Sequence, residues 1–171
     1  RAMQILNSKL SFEIFFSRVS GSTDLSADTW QQAAITFSGN NVEIFLNGSS
    51  DGTGSLSRST MTASETFIGG TSTMKSEGFV PFAGLIDEFA VFDSVLSASN
   101  ITAIYNSGAP ADLSSDSPVG WWRMGDGKGD STSGGLYPAN SDTIGTVVDQ
   151  GFGGNDAAAA GGPTYSNVVP T

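Results

Sequence analysis

Acidic and aromatic side chains are the residues of this sequence that could do chemistry. Asp87 alternates with apolar residues over 85–91, so on a strand it shares their face. A carboxylate among apolar neighbours needs a cation or several backbone N–H donors. Trp121 and Trp122 could stack on a sugar ring. Because successive strand residues point to opposite faces, one of the two is expected in the core.

Residues that most enzymes need are missing from the sequence. It contains no histidine and no cysteine, which excludes the usual zinc sites, thiol nucleophiles, disulfides and Ser-His-Asp triads. The 7 Lys and Arg residues against 17 Asp and Glu give a net charge of −10. Binding to nucleic acid needs clustered cations, and no apolar run is long enough to span a membrane. We therefore expect no nucleic-acid partner and no membrane insertion.

The elements that must position these side chains are short strands. The 171 residues include 22 glycines and 11 phenylalanines, a composition typical of strands joined by tight turns. Alternation is clearest over 30–37 and 42–46, which a Gly-Asn turn joins into a hairpin with Ile35 and Ile44 facing the core. Further strands are predicted at 10–17, 65–70, 82–93, 119–124 and 143–149. The prediction is an all-β antiparallel sandwich with one short helix.

Capping and turn residues predict where the helix begins and ends, and they also predict a turn at 47–52. Ser97 is the predicted N-cap, Gly108 is the predicted stop, and Pro110 forbids continuation. The segment 47–52 has some features of a calcium loop. It lacks the glutamate that ends that motif, and a hairpin turn explains it better.

Several segments, taken in their order along the chain, resemble the strands and helix of a known domain family. They are WQQAAITF at 30–37, VEIFLNG at 42–48, FIGG at 67–70, FAGLIDEFAVF at 82–92 and the helix with its lead-in at 95–105. This series, from Leu10 to Gly108, resembles the laminin G-like and pentraxin-like jelly rolls of the concanavalin A-like lectin/glucanase superfamily. The resemblance implies an antiparallel jelly-roll β-sandwich.

The C-terminal third resembles the opening strands of the same domain type. VGWWRMGD at 119–126 and VVDQG at 147–151 with GNDA at 154–157 carry this likeness, and the arrangement is similar to proteins encoded by marine bacteriophages. We predict a jelly-roll domain over 1–110, a linker over 111–118, and an extension over 119–171. The extension completes this sheet or a neighbour's. The first residue is Arg1 rather than Met, which indicates a processed or partial chain.

The resemblance also implies which sites to expect. Hydrolases of the superfamily carry two glutamates with an aspartate between them on one strand, and Asp87, Glu88 and Asp93 do not reproduce that spacing, so no enzyme is expected. A structural calcium ion is the candidate cofactor, and the proposed ligands are Asp87, Asp149, Asn155 and Asp156. The alternative is that Asp87 caps loop amides and binds no metal.

The predicted function follows from a lectin-like strand series without catalytic carboxylates. We expect a non-catalytic surface module of a multi-copy assembly, such as a virion decoration or appendage or a cell-surface protein. It would contact glycans, other copies of itself or other assembly proteins, outside the cell or on a virion, and Trp121 and Trp122 are its candidate ligand-binding residues. The alternative is a polysaccharide-processing enzyme or its carbohydrate-binding domain.

Overall fold

Short antiparallel strands make up most of the regular secondary structure, which confirms the predicted fold class. The computed structural model describes residues 2–14, 17–57, 67–70, 80–124, 129–132, 141–166, 168 and 170. Its elements in chain order are β1 (Ala2–Leu6), β2 (Lys9–Ile14), β3 (Ser17–Ser20), β4 (Ala33–Ser38), β5 (Asn41–Leu46), β6 (Ser49–Ser55), β7 (Phe89–Val91), α1 (Ala98–Tyr105), β8 (Gly120–Trp122), β9 (Ser131–Thr132), β10 (Ile144–Val147) and β11 (Ala157–Ala158). The chain divides into unit 1, residues 1–61, 94–112 and 170–171, and unit 2, residues 62–93 and 113–169.

The first sheet of unit 1 consists of β1, β2 and β3, paired antiparallel in that order. Leu10 and Ile14 of β2 are buried, and Phe12 between them packs against the same core. These three residues alternate along the strand, as the pattern in 10–17 predicts. Residues 15 and 16 of that predicted strand lie outside the described residues.

The second sheet of unit 1 is the predicted hairpin with one more strand. β4 and β5 pair with Ile35 opposite Ile44, and β6 pairs with the other edge of β5. Ile44 is completely buried, and Ile35 packs against the same core. Asn47 and Gly48 turn the chain from β5 into β6 with φ of 50° and 74°. A two-residue turn with both φ angles positive favours Asn followed by Gly, so the segment 47–52 is a hairpin, as predicted.

Glycines on the inner face of β6 let the two sheets of unit 1 approach closely. A Cβ on Gly54 would lie 2.6 Å from Val19 Cγ2, and a Cβ on Gly52 would lie 2.6 Å from the carbonyl oxygen of Ser20. Both distances are shorter than side chains allow, so glycine at these positions is a packing requirement. The core between the sheets comprises Leu10, Ile14, Val19, Val42, Ile44 and Leu56.

The helix of unit 1 begins where predicted and ends earlier. Ser97 is its N-cap, and Ser97 and Asn100 form a capping box in which each side chain accepts the backbone N–H of the other residue. The helix ends because Asn106 adopts the left-handed conformation with φ 46°. The predicted stop at Gly108 is therefore wrong for the α-helix, since that glycine is the last residue of the 3-10 turn over 106–108 that follows the helix. No helix in the described part of the chain is long and apolar enough to cross a membrane.

The described part of unit 2 contains two small sheets. β7 pairs with β8, and β10 pairs with β9 and β11. The prediction of a strand over 82–93 is wrong for all but β7, because Glu88 has φ 51° and interrupts the extended backbone before Phe89. The predicted strand at 143–149 is confirmed as β10. The predicted strand at 65–70 is wrong for residues 67–70, which form a bend in which Gly69 and Gly70 have φ of 80° and 101°. Residues 65 and 66 lie outside the described residues.

The pairing of β7 with β8 joins two parts of the chain that are distant in sequence. Ala90 lies opposite Trp121, and Phe89 lies opposite Trp122. The first strand of the predicted extension therefore pairs with a strand of the same chain. The predicted domain boundaries at 110 and 118 stay a prediction.

Candidate functional site

Asp149, one of the predicted metal ligands, is a buried carboxylate of unit 2 and is 8% exposed. Its Oδ1 accepts hydrogen bonds from the backbone N–H groups of Trp121 and Gly151, both at 2.8 Å. Its Oδ2 accepts a hydrogen bond from the backbone N–H of Asn155 at 3.0 Å. The carboxylate thereby connects β8 to the residues that follow β10, which we call the 149–156 loop.

Burial and hydrogen bonding act on Asp149 in opposite directions. Burial tends to raise the pKa of this carboxyl, because it disfavours the charged form. The backbone N–H groups of the loop and of Trp121 stabilise the carboxylate, and together they hold the pKa of Asp149 below its ordinary value. Asp149 is therefore ionised at neutral pH, and backbone dipoles compensate its charge.

Glycines allow the 149–156 loop to lie directly against the start of β8. A Cβ on Gly153 would come within 2.2 Å of the Val119 carbonyl oxygen, and one on Gly151 within 2.7 Å of the Pro118 carbonyl oxygen. The backbone N–H of Phe152 donates to the Pro118 oxygen at 3.1 Å. The sequence GFGG at 151–154 thus serves close backbone contact.

The structure brings three of the four predicted metal ligands together, but not in the arrangement of a cation site. Asp156 Oδ1 accepts the backbone N–H of Asp149 at 3.0 Å, and Asn155 donates its own N–H to the Asp149 carboxylate. Asp87 Oδ1 accepts the backbone N–H of Glu88 at 2.9 Å. Each of these carboxylates therefore caps backbone amides, which is the alternative interpretation for Asp87.

This donor set does not fit a calcium ion. Calcium takes about six to eight oxygen ligands, and the oxygens of Asp149 are directed at N–H groups. Within residues 2–14, 17–57, 67–70, 80–124, 129–132 and 141–166, no group of three or more acidic, histidine or cysteine side chains could hold a metal. Calcium binding stays an untested prediction.

The two predicted stacking residues have different environments. Trp121 is buried, and its indole N–H donates to Glu88 Oε2 at 2.6 Å. Arg123 Nε lies 3.2 Å from Glu88 Oε1, and its guanidinium lies 5.5 Å from the centre of the Trp121 ring. Trp122 is half-buried, with its ring 5.7 Å from that of Phe89. The expectation that one tryptophan belongs to the core is confirmed. Because Trp121 is buried, only Trp122 remains a candidate for ligand binding, and that role stays a prediction.

A polar cleft of about 450 Å³ lies in unit 1, on the face of the second sheet that points away from the core. Most of its lining consists of residues that alternate with the buried ones along β4, β5 and β6. Val42 and Gly54 also line it, together with Val95–Ala98, the segment that leads into α1. The strand register sets six polar residues in two rows across the three strands. The rows are Thr36, Glu43 and Thr53, and Ser38, Asn41 and Ser55.

Glu43 is the one carboxylate among the described residues that line the polar cleft. It is half-buried, and its Oε1 accepts a hydrogen bond from the hydroxyl of Ser50 at 2.6 Å. The other polar lining residues carry hydroxyl or amide groups, which donate and accept hydrogen bonds. The cleft therefore combines uncharged hydrogen-bonding groups and one carboxylate with the apolar surface of Val95, Leu96 and Ala98.

This cleft was not predicted from the sequence, although the alternation in two of its three strands was recognised. The alternation that assigns Ile35 and Ile44 to the core also assigns Thr36 and Glu43 to the opposite face. The third strand was not recognised, because β6 reads SSDGTGS, and glycine and serine are poor strand formers. Without β6 the polar rows cannot be assembled.

Comparisons with known proteins give one family and one solved structure. Residues 7–102, more than half of the chain, match a laminin G family model described as the concanavalin A-like lectin/glucanases superfamily. A solved structure, residues 221–444 of the S-layer domain-containing protein from Clostridium thermocellum, is similar at 23% identity and a TM-score of 0.42. That similarity covers 57% of this chain and 51% of the other, so the chain spans about half of that structure's length. No curated protein matches the chain.

Proposed function

The chain belongs to the concanavalin A-like lectin/glucanases superfamily, and from this membership we propose that it is a non-catalytic carbohydrate-binding module whose ligand occupies the polar cleft. The observation that carries the proposal is the double row of polar side chains on an open sheet face. Sugar hydroxyls donate and accept hydrogen bonds, and hydroxyl and amide side chains complement both functions. Val95 and Leu96 add apolar surface for the C–H groups of a sugar ring.

The charge content of the cleft favours binding over cleavage. The superfamily includes glucanases, and glycoside hydrolysis needs two carboxyl groups about 5 to 9.5 Å apart. Glu43 stands without a second carboxylate among the cleft residues that the structure describes. The alternative, a polysaccharide-processing enzyme, predicts release of reducing sugar from a soluble glucan, and that release would overturn the proposal.

Calorimetry of one pair of variants tests the binding site. Asn41→Ala removes an amide from the cleft, and we expect it to weaken binding of a neutral oligosaccharide such as cellohexaose about tenfold, or about 1.4 kcal/mol. Asn40→Ala is the matched control, because Asn40 is exposed in the neighbouring turn and does not line the cleft. Equal affinities of the two variants and the unchanged protein would place the ligand elsewhere.

The proposal extends to the setting of the module. A binding domain without its own catalytic groups acts by holding a larger assembly to its target, so we assign it to a multi-copy structure at a cell or virion surface. Its partners there would be glycans and other copies of the assembly proteins. Surface labelling of intact cells or particles with an antibody against the module tests this setting, and labelling only after lysis would contradict it.

A further inference from the structure

We propose that the polar cleft distinguishes glycans by charge: it accepts neutral saccharides, binds amino sugars more tightly, and rejects acidic glycans. This inference rests on the proposed function, because it names the ligand class of the same cleft. It follows from the position of Glu43 and from the cations of unit 1.

Glu43 is placed to meet a positive group on a ligand. It lies in the middle strand of the sheet, with Thr36 opposite it on β4 and Thr53 opposite it on β6. Among the described residues, the hydroxyl of Ser50 is the one hydrogen-bond partner of the Glu43 carboxylate, and that bond engages Oε1. A sugar ammonium beside Glu43 would make a charge-assisted hydrogen bond, which is shorter and stronger than a neutral one.

The described lining residues offer no cationic side chain to an anionic sugar. Among the lining residues that the structure describes, none is a lysine or an arginine. A carboxylate or sulfate in the cleft would lose water and face the charge of Glu43 without a compensating cation. A neutral hydroxyl at the same place keeps its hydrogen bonds to the threonine and serine side chains.

The cations that the structure describes in unit 1 are engaged away from the cleft. Within the described part of unit 1 they are Lys9 on β2 and Arg18 on β3, both in the first sheet. Lys9 Nζ lies 2.8 Å from Asp24 Oδ1, and Arg18 forms an ion pair with Glu13. Neither residue lines the cleft.

The net charge of the whole chain acts in the same direction. With a charge of −10, the protein repels polyanionic glycans over about a Debye length, and this long-range part weakens as salt is added. The contribution of Glu43 is short-ranged and partly buried, so salt screens it less. Salt dependence therefore separates the effect of the site from that of the net charge.

Three hexasaccharides with one β-1,4-glucan backbone provide the test by calorimetry. They are cellohexaose, its 2-amino counterpart (fully deacetylated chitosan hexamer) and its C6-oxidised counterpart (cellouronic acid hexamer), used below the pKa of the sugar amine. We expect the amino sugar to bind about tenfold more tightly than cellohexaose, and the acidic sugar at least about tenfold more weakly, each corresponding to about 1.4 kcal/mol. Equal affinities, or tightest binding of the acidic sugar, would overturn the inference and leave the proposed function standing. Absence of binding by all three would overturn the proposed function as well.

Two variants with the same change in net charge assign the selectivity to the cleft. Glu43→Gln should abolish most of the preference for the amino sugar. At ~0.15 M salt, we expect its affinities for the amino sugar and the neutral sugar to differ by no more than about twofold. Asp28→Asn is the control, because Asp28 is exposed outside the cleft and its φ of 55° suits asparagine. It should keep the ratio of the unchanged protein. Equal loss of selectivity in both variants would attribute the preference to net charge and overturn the role of Glu43.

Discussion

Asp149 is the residue on which the 149–156 loop depends. Replacing it with alanine leaves three backbone N–H groups, of Trp121, Gly151 and Asn155, without their acceptor. Unsatisfied buried donors cost about 1–3 kcal/mol each, and water recovers part of that, so we expect Asp149→Ala to lower the free energy of unfolding by about 2–4 kcal/mol. Urea denaturation measures the loss. Asp93→Ala, at an exposed aspartate, should change the same free energy by less than ~0.5 kcal/mol.

The free energy of unfolding at acidic pH should also depend on Asp149. The pKa of Asp149 in the folded protein is lower than in the unfolded chain, so between the two values the unfolded chain binds more protons. The stabilisation by Asp149 is therefore complete above the unfolded pKa of about 3.9 and is lost as the pH falls through the lower folded pKa. In Asp149→Asn, the free energy of unfolding should fall less steeply with decreasing pH than in the unchanged protein. Parallel curves for the two proteins would refute this account of Asp149.

At the scale of the elements, Gly54 makes the packing of β6 against the first sheet testable. Gly54→Ala places a methyl group against Val19, where the present distance would be 2.6 Å. Since Val19 is buried and cannot move aside freely, we expect a loss of about 1–3 kcal/mol in the free energy of unfolding. Val19→Ala in the same chain removes the clash, so the double variant should lose less than the sum of the two single variants. Additive losses would show that the sheets do not meet at this point.

How far the elements could be predicted depended on whether local signals agreed with tertiary contacts. The hairpin of β4 and β5 and the N-cap at Ser97 were predictable, because alternation and capping chemistry are local. The stop at Asn106 was missed because asparagine tolerates a left-handed backbone almost as glycine does. The interruption at Glu88 was missed because its side chain is engaged by Trp121, which is distant in sequence. The polar cleft was missed because it needs the third strand, β6.

At the scale of the whole molecule, the observed amide caps predict that these carboxylates do not bind calcium, and thermal unfolding can test this. Because the oxygens of Asp149 accept backbone N–H groups, we expect addition of EDTA or of calcium to shift the midpoint of unfolding by less than ~1 °C. A calcium-dependent rise of several degrees would show that the carboxylates bind the ion.

The central claim is that a saccharide binds in the polar cleft of unit 1, and an NMR titration with cellohexaose tests it most directly. In ¹⁵N-labelled protein we expect the amide signals of Thr36, Asn41, Glu43 and Thr53 to shift together and to saturate with one affinity. The signals of Phe89 and Trp122 should remain in place. Saturable shifts confined to Phe89 and Trp122, or no shifts at all, would contradict the claim.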